Sequence, residues 1–534
     1  MAVCEHVISM ISKWPNLENV SLMLNCIAIL VVLAYTDKAG PLGTLIIESV
    51  ERLTVITHKI GGTLALSPLL FLCRELIPNI SDLDGEGLVV VVGWCVRGLQ
   101  CTISRTRMRA CQILSEIGTS HPRLFHQTIS RREIEEGLMC TLAASTEPTH
   151  AIEAIKALSS CMRHMNRRPM WTYDDWMYHW SVQRRFLIMP EMGIVLSNAL
   201  NRFKGAQKAL VLAFCLDFVS ATLTSTIVDK KSALHQILID DIVNQVPGTM
   251  DLFVNGMEEM ELEKEKDSEI ASIAMELLAF HTLQLLQAFL CYDLQECLEK
   301  VHLYSGTPVC SAVPRIMLKF PRNQAIQRFG TDVLRIFAIK GLDLKNLGEA
   351  GPIALVGSVS ACPHDGELLR AFCIIIDVLA KLKNDSVHTK LLSADVHKSL
   401  YALLHTCSRE LAPLALTAVS NIADTKERAE LFINCGYLSL IFRVLDRHCE
   451  AMKVQVEGFR ALLSIFKSSE NLEILEQSDS RNTYDRVHSL LSHRLKEGSL
   501  GSDIIPSDVS TLLKSANQII RRKSKGVSCN CVIA

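Results

Sequence analysis

The sequence predicts an all-α protein, a solenoid of stacked helical repeats, and three observations carry that prediction. Apolar runs of helical length alternate with short Gly, Pro, Asp and Asn breaks such as Lys38-Ala39-Gly40-Pro41 and Ser81-Asp82-Leu83-Asp84-Gly85. A glycine followed by apolar residues at +2, +5 and +8 occurs at Gly351 and again at Gly436, 85 residues apart, or two units of about 42. Strands do not recur between the helices: Val89 to Val92 is the single β-branched run, and a parallel sheet would need several.

Taken in order, residues 1–255 read as a first block of helical repeats. The run Val20 to Tyr35 is broken by Ser21 and Asn25 and is shorter than the roughly 20 residues that cross a bilayer, so a buried helix is expected there. The runs Leu22 to Leu33, Leu42 to Ile56, Gly61 to Ile77 and Leu88 to Leu99 follow, and Ala110 to Ile117 is echoed about 44 residues later by Ala154 to Cys161. Between Arg163 and Arg185 five arginines surround Trp171, Tyr173, Trp176, Tyr178 and Trp180. Trp171, Trp176 and Trp180 are candidate partner-binding residues, because Trp, Tyr and Arg dominate binding hot spots; as ordinary core of an elongated repeat they need no function. Residues 256–270, with Met257-Glu-Glu-Met-Glu-Leu-Glu-Lys-Glu-Lys-Asp267, read as a charged linker or helix start.

Residues 271–470 carry the clearest period. Leu400, Leu403 and Leu404 fall 41 residues before Ile441, Val444 and Leu445 and supply the middle copy of the glycine-led helix. A second helix recurs in step at Asp332 to Phe337, Ile376 to Ala380, Ala418 to Ala423 and Ala461 to Phe466. Residues 471–520 are expected to cap the array, with a helix opened by Pro506-Ser507-Asp508 whose apolar places are Val509, Leu512, Leu513, Ala516, Ile519 and Ile520.

Ala418-Val-Ser-Asn421-Ile-Ala423, followed by Glu430 to Gly436, resembles the third helix of one armadillo repeat leading into the next, and the whole stretch 327–468 is similar to the armadillo/HEAT class. The resemblance implies stacked units sharing one core and a concave groove for protein partners. Armadillo peptide carriers line that groove with asparagines. Here the matching places hold Asn421, a candidate partner-binding residue, but also Arg335, Leu379 and Ser464.

Residues 521–534 form a polybasic tail ending in Cys531-Val-Ile-Ala534, the Cys-aliphatic-aliphatic-X pattern of prenylation, with alanine favouring farnesyl. One prenyl chain anchors weakly, so a second signal is expected. Cys529 is a candidate palmitoyl site, and Arg521, Arg522, Lys523 and Lys525 place four positive charges beside the lipid, each worth about 1 kcal/mol at an anionic leaflet. The tail resembles the ends of Ras-like and Rho-like GTPases, although no Gly-x-x-x-x-Gly-Lys-Ser/Thr loop occurs in the chain.

Composition limits the alternatives. A net charge of −2 with 49% apolar residues gives no overall attraction to nucleic acid, and basic residues do not line up along the repeats. The 19 cysteines lie beside apolar residues, as in Phe372-Cys373-Ile374, and read as buried hydrophobes of a reducing compartment. Cys161 and His164 have one-turn spacing but no second pair, so no metal, no cofactor and no catalytic residue is expected. The expected function is a non-enzymatic scaffold or adaptor holding partner proteins at the cytosolic face of a membrane, as the resemblance to lipid-anchored armadillo adaptors implies. The alternative is a regulator of small GTPases, which some armadillo solenoids bind.

Overall fold

The computed structural model describes residues 63–75, 85–120, 131–163, 192–225, 268–291, 309–342, 344–382, 384–468, 478–497, 504 and 507–517. Every regular element among them is helical, including Val89 to Val92, which continue a helix whose long apolar face is buried. The chain divides into two compact units, Met1–Gly306 and Thr307–Ala534.

In the first unit two layers of helices stack. One layer is α1 (Thr63–Glu75), α3 (Ser104–Ser120), α5 (Pro148–Arg163), α7 (Gly205–Ser225) and α8 (Ser268–Cys291); the other is α2 (Gly85–Leu99), α4 (Arg131–Ala143) and α6 (Met192–Arg202). The echo of Ala110 to Ile117 in Ala154 to Cys161 is the register of neighbouring helices: Ser115 Oγ and Ser160 Oγ lie 3.1 Å apart across α3 and α5. α7, packed between α5 and α8, is apolar nearly all round, the usual condition for a helix covered on both sides. Ser272–Cys291 is long and apolar enough to cross a membrane, yet 61% of it is buried inside the fold, the behaviour of a core helix. Polar side chains meet between α7 and α8, where His281 Nδ1 lies 3.2 Å from Asp217 Oδ1 and 3.1 Å from Gln284 Oε1, with Asp217 and His281 both buried.

The second unit contains α9 (Val309–Lys319), α10 (Gln324–Ile339), a 3-10 turn at Leu344–Leu347, α11 (Ala350–Ala361), α12 (Gly366–Lys381), α13 (Asp385–Ser393), α14 (Val396–Thr406), α15 (Ala412–Ile422), α16 (Lys426–Asn434), α17 (Tyr437–Arg447), α18 (Met452–Ser468) and α19 (Ser478–Glu497), with a last helix, α20, over 507–517. Helices α10, α12, α15 and α18 form one layer and α11, α14, α17 and α19 a second; α13 and α16 are the short first helices of three-helix, armadillo-like units.

The same local devices recur in each unit, which is why the period was readable. Asn323 and Asp365, 42 residues apart, each cap a long helix by accepting backbone N–H bonds with a side-chain oxygen. The turn before the second helix needs a left-handed residue, supplied by Asp395 (φ 61°) and Gly436 (φ 80°). Gln327 and Gln455, 128 residues or three units apart, are both fully enclosed. Gln327 Nε2 donates to Met317 O (2.7 Å) and Phe320 O (3.0 Å), and Gln455 Nε2 to Leu445 O (2.8 Å) and His448 O (3.0 Å). Each side chain thereby satisfies carbonyls at the end of the preceding helix. One turn later Gly330 and Gly458 let the two helices touch, since an added Cβ would stand 2.6 Å from Met317 Cγ or Leu445 Cδ2.

Two sequence expectations fail at residue level. The +2, +5, +8 stripe is buried in α17 as Leu438, Ile441 and Val444, but in α11 Ile353 is 51% exposed and the packed face is Gly351, Ala354, Leu355 and Ser358. α11 is apolar on nearly every side, so periodicity alone could not orient it; its small residues admit the close approach to Leu347 instead. Leu379, matched by sequence to Asn421, is buried, and the equivalent surface place belongs to Asp377. The unbroken run Phe372 to Ile376 hides the register there.

Candidate functional site

The outward face of the long-helix layer in the second unit carries a chain of polar side chains that crosses four helices. Arg335, Asn421 and Ser464 each stand between two pairs of buried residues, and Asp377 follows the buried Ile375 and Ile376, so the fold presses all four to the solvent side of α10, α12, α15 and α18. Asn421 Nδ2 donates to Asp377 Oδ1 at 2.6 Å, and the other oxygen of Asp377 takes Lys381 Nζ at 2.6 Å. One turn back on α15, Thr417 Oγ1 donates to Glu457 Oε2 at 3.0 Å; Glu457 is paired with Arg460 at 2.8 Å, and Arg460 reaches Asp508 of α20 at 3.9 Å. On α10, Arg335 pairs with Asp332 at 2.6 Å. Ser464 Oγ donates to Ser420 O (2.8 Å) and Ala423 O (3.2 Å), closing the end of α15 from the next unit.

The carboxylates Asp377 and Glu457 are more enclosed than their cations Lys381 and Arg460, so the cationic heads face the solvent while the acids tie the units together. Donors and acceptors are matched within this face. A partner gains little by adding bonds to it and must exchange them, which makes binding here depend on charge placement and shape more than on bond count.

Asn421 therefore lies on the face that sequence reasoning chose, with its amide committed to Asp377. Sequence reasoning missed Asp377, Thr417, Glu457 and Arg460. The signal was present as acid–base pairs one helical turn apart, Asp377 with Lys381 and Glu457 with Arg460, combined with the 44-residue step from Asp377 to Asn421. Trp171, Trp176 and Trp180 lie outside the described residues, as do Cys529, Cys531 and the basic residues Arg521, Arg522, Lys523 and Lys525. His164 does too; among the described residues no group of three or more His, Cys, Asp or Glu is placed to hold a metal.

A second polar cluster binds the short first helices. Arg428 of α16 donates to Asp385 at 2.6 Å, to Asp424 at 2.5 Å and to Nδ1 of the buried His388, whose Nε2 donates to Ala380 O at 2.8 Å. These contacts set Nδ1 as the acceptor and Nε2 as the donor of the ring. Burial drives the thiols of Cys73 and Cys215 up to about 12, so they behave as apolar side chains rather than nucleophiles, whereas Cys140, Cys291 and Cys449 are exposed.

No protein-family model matches the chain, and no curated protein matches it in sequence. Among solved structures it is similar to an engineered protein from a structural genomics consortium, at TM-score 0.54 and 16% identity, over 88% of this chain and 98% of that one. A chain from work on a phosphorylation switch controlling the interaction between cadherin and β-catenin matches at TM-score 0.40 and 11% identity, over 94% of this chain and 97% of that one. The karyopherin Kap121p, bound to the extreme C-terminus of the protein phosphatase Cdc14p, matches at TM-score 0.34 and 12% identity, over 97% of this chain and 51% of its own. At 16% identity the likeness to the engineered protein is one of fold alone and defines neither partner nor activity.

Proposed function

We propose that this protein is a non-enzymatic scaffold that holds partner proteins at the cytosolic face of a membrane. The observation that carries the reading is the polar face from Lys381 to Asp508, an extended surface of matched charges running across four helices of a repeat array. Repeat arrays of this kind present long surfaces to other proteins because each unit adds area without closing the structure. Membrane attachment rests on the sequence of residues 521–534: the Cys531-Val-Ile-Ala534 pattern assigns farnesyl to Cys531, and Cys529 together with Arg521, Arg522, Lys523 and Lys525 supplies the second signal.

Proximity labelling in cells separates the two halves of this reading. Asp377→Lys with Glu457→Lys is expected to lose specific neighbours while staying on the membrane, and Cys531→Ser to lose the membrane neighbours as a group. An unchanged set of neighbours in the double variant would remove the polar face from the account. Recovery of small GTPases in one nucleotide state among the face-dependent neighbours would identify the protein as a GTPase regulator instead.

A further inference from the structure

One edge of the first unit is cationic where helix stability argues against it. The turns α2–α3, α4–α5 and α6–α7 lie side by side along this edge: Ser104 Oγ of α3 is 2.9 Å from His150 Nδ1 of α5, and Arg202 Nη1 of α6 donates to Ser145 O at 3.1 Å. Arg97 and Arg202 close their helices in the last turn, where a cation suits the helix dipole. Arg105, Lys204 and Lys208 have no such explanation, because they stand at or in the first turns of α3 and α7, at the positive ends of those helices.

Acids that would offset them are missing from the adjoining stretches of sequence. No Asp or Glu occurs between Glu86 and Glu116, nor between Glu191 and Asp217, and the first turns of α3, α5 and α7 hold no acid. Glu147, beside His150 at 3.6 Å, is the one acidic side chain on the intervening turn. Arg107 donates to Cys101 O (2.9 Å) and Thr102 O (3.2 Å), which holds the α2–α3 turn rigid with Ile103 at its tip 47% exposed. Two helix-to-helix steps separate Arg105 from Lys204, so the row is about 20 Å long.

We infer that this edge binds an anionic lipid surface. Long cations carried on successive turn tips, with the aliphatic Ile103 exposed among them, match a flat layer of acidic headgroups in charge and in spread. The inference rests on the membrane reading proposed above and adds to it a contact independent of the lipid tail.

The test uses the full chain carrying Cys531→Ser, so that no prenyl group contributes, and measures co-sedimentation with vesicles of phosphatidylcholine alone or with about 30% phosphatidylserine. The expected result is binding only to the acidic vesicles, weakened at least about tenfold by adding Arg105→Glu and Lys204→Glu. Both residues are exposed, so an unchanged thermal melt confirms that the variant folds. Equal vesicle binding by the variant overturns the inference. If the variant keeps vesicle binding and loses only binding to polyglutamate, the edge takes an acidic polypeptide and the lipid proposal falls. A parallel arm with the farnesylated wild-type chain reads the tail separately: failure of farnesyl to add retention would count against the tail and leave the result for the edge standing.

Discussion

Asn421 and Asp377, 44 residues apart in sequence and one unit apart in the fold, are joined by a hydrogen bond of 2.6 Å between the amide of one and the carboxylate of the other. An asparagine at this place in a peptide-carrying groove would offer its amide to a bound backbone; here the preceding unit has already taken it. Asn421→Ala should remove one hydrogen bond to a charged group and destabilise the second unit by about 2 kcal/mol. Asp377→Asn should cost less, since an amide oxygen still accepts from Asn421. Urea unfolding followed by circular dichroism compares them, and equal losses would place the stabilisation elsewhere.

Gln455 and Gln327 test whether the repeated device is structural. Replacing Gln455 by Leu leaves the carbonyls of Leu445 and His448 without the donor that serves both, at a cost of about 2 kcal/mol or more. The loss should register locally, as faster hydrogen exchange in α17 and α18, with α10 unaffected. Gln327→Leu should produce the mirror result in α9 and α10. Uniform acceleration across the unit in both variants would mean that the units do not open separately.

The legible part of this fold was its period, because the devices that set it are side chains of fixed type: the caps Asn323 and Asp365, the left-handed Gly436, and the buried stripe of α17. What could not be read was rotation about a helix axis wherever both sides are apolar, as Ile353 and Leu379 demonstrate. The site was half legible. Asn421 was found by its phrase, but its partner was not, because a hydrogen bond across 44 residues needs a register correct to one residue and the run Phe372 to Ile376 blurs it.

The buried pair Asp217 and His281 makes a separate prediction for the first unit. His281→Leu removes the imidazole beside the buried Asp217 carboxylate and should destabilise by about 3 kcal/mol, whereas Asp217→Leu combined with His281→Leu should recover part of the loss. A double-mutant cycle on thermal unfolding measures this, and strictly additive losses would mean that the two side chains act independently.

His397 gives the second unit a pH dependence. Burial holds its pKa below the usual histidine value, a depression that nearby Asp395 opposes and Lys398 adds to. The unfolded chain therefore binds the proton more readily than the folded one. Stability is full above the ordinary histidine range and declines as pH falls through that range toward the lowered folded value. His397→Gln should flatten the fall in melting temperature between about pH 7.5 and 5.5. An identical slope in the variant would assign the acid sensitivity to another group.

Attachment of the helical array to a membrane through farnesyl on Cys531 is a proposal that fractionation of cells expressing wild type or Cys531→Ser at matched levels tests most directly. The account predicts wild type in the membrane pellet, carrying a farnesyl group on the C-terminal peptide by mass spectrometry. It predicts Cys531→Ser mainly in the soluble fraction, with at most weak, salt-sensitive residual binding through the basic tail and the cationic edge. Equal membrane recovery of the two proteins at high salt, or a C-terminal peptide with no lipid, would contradict it.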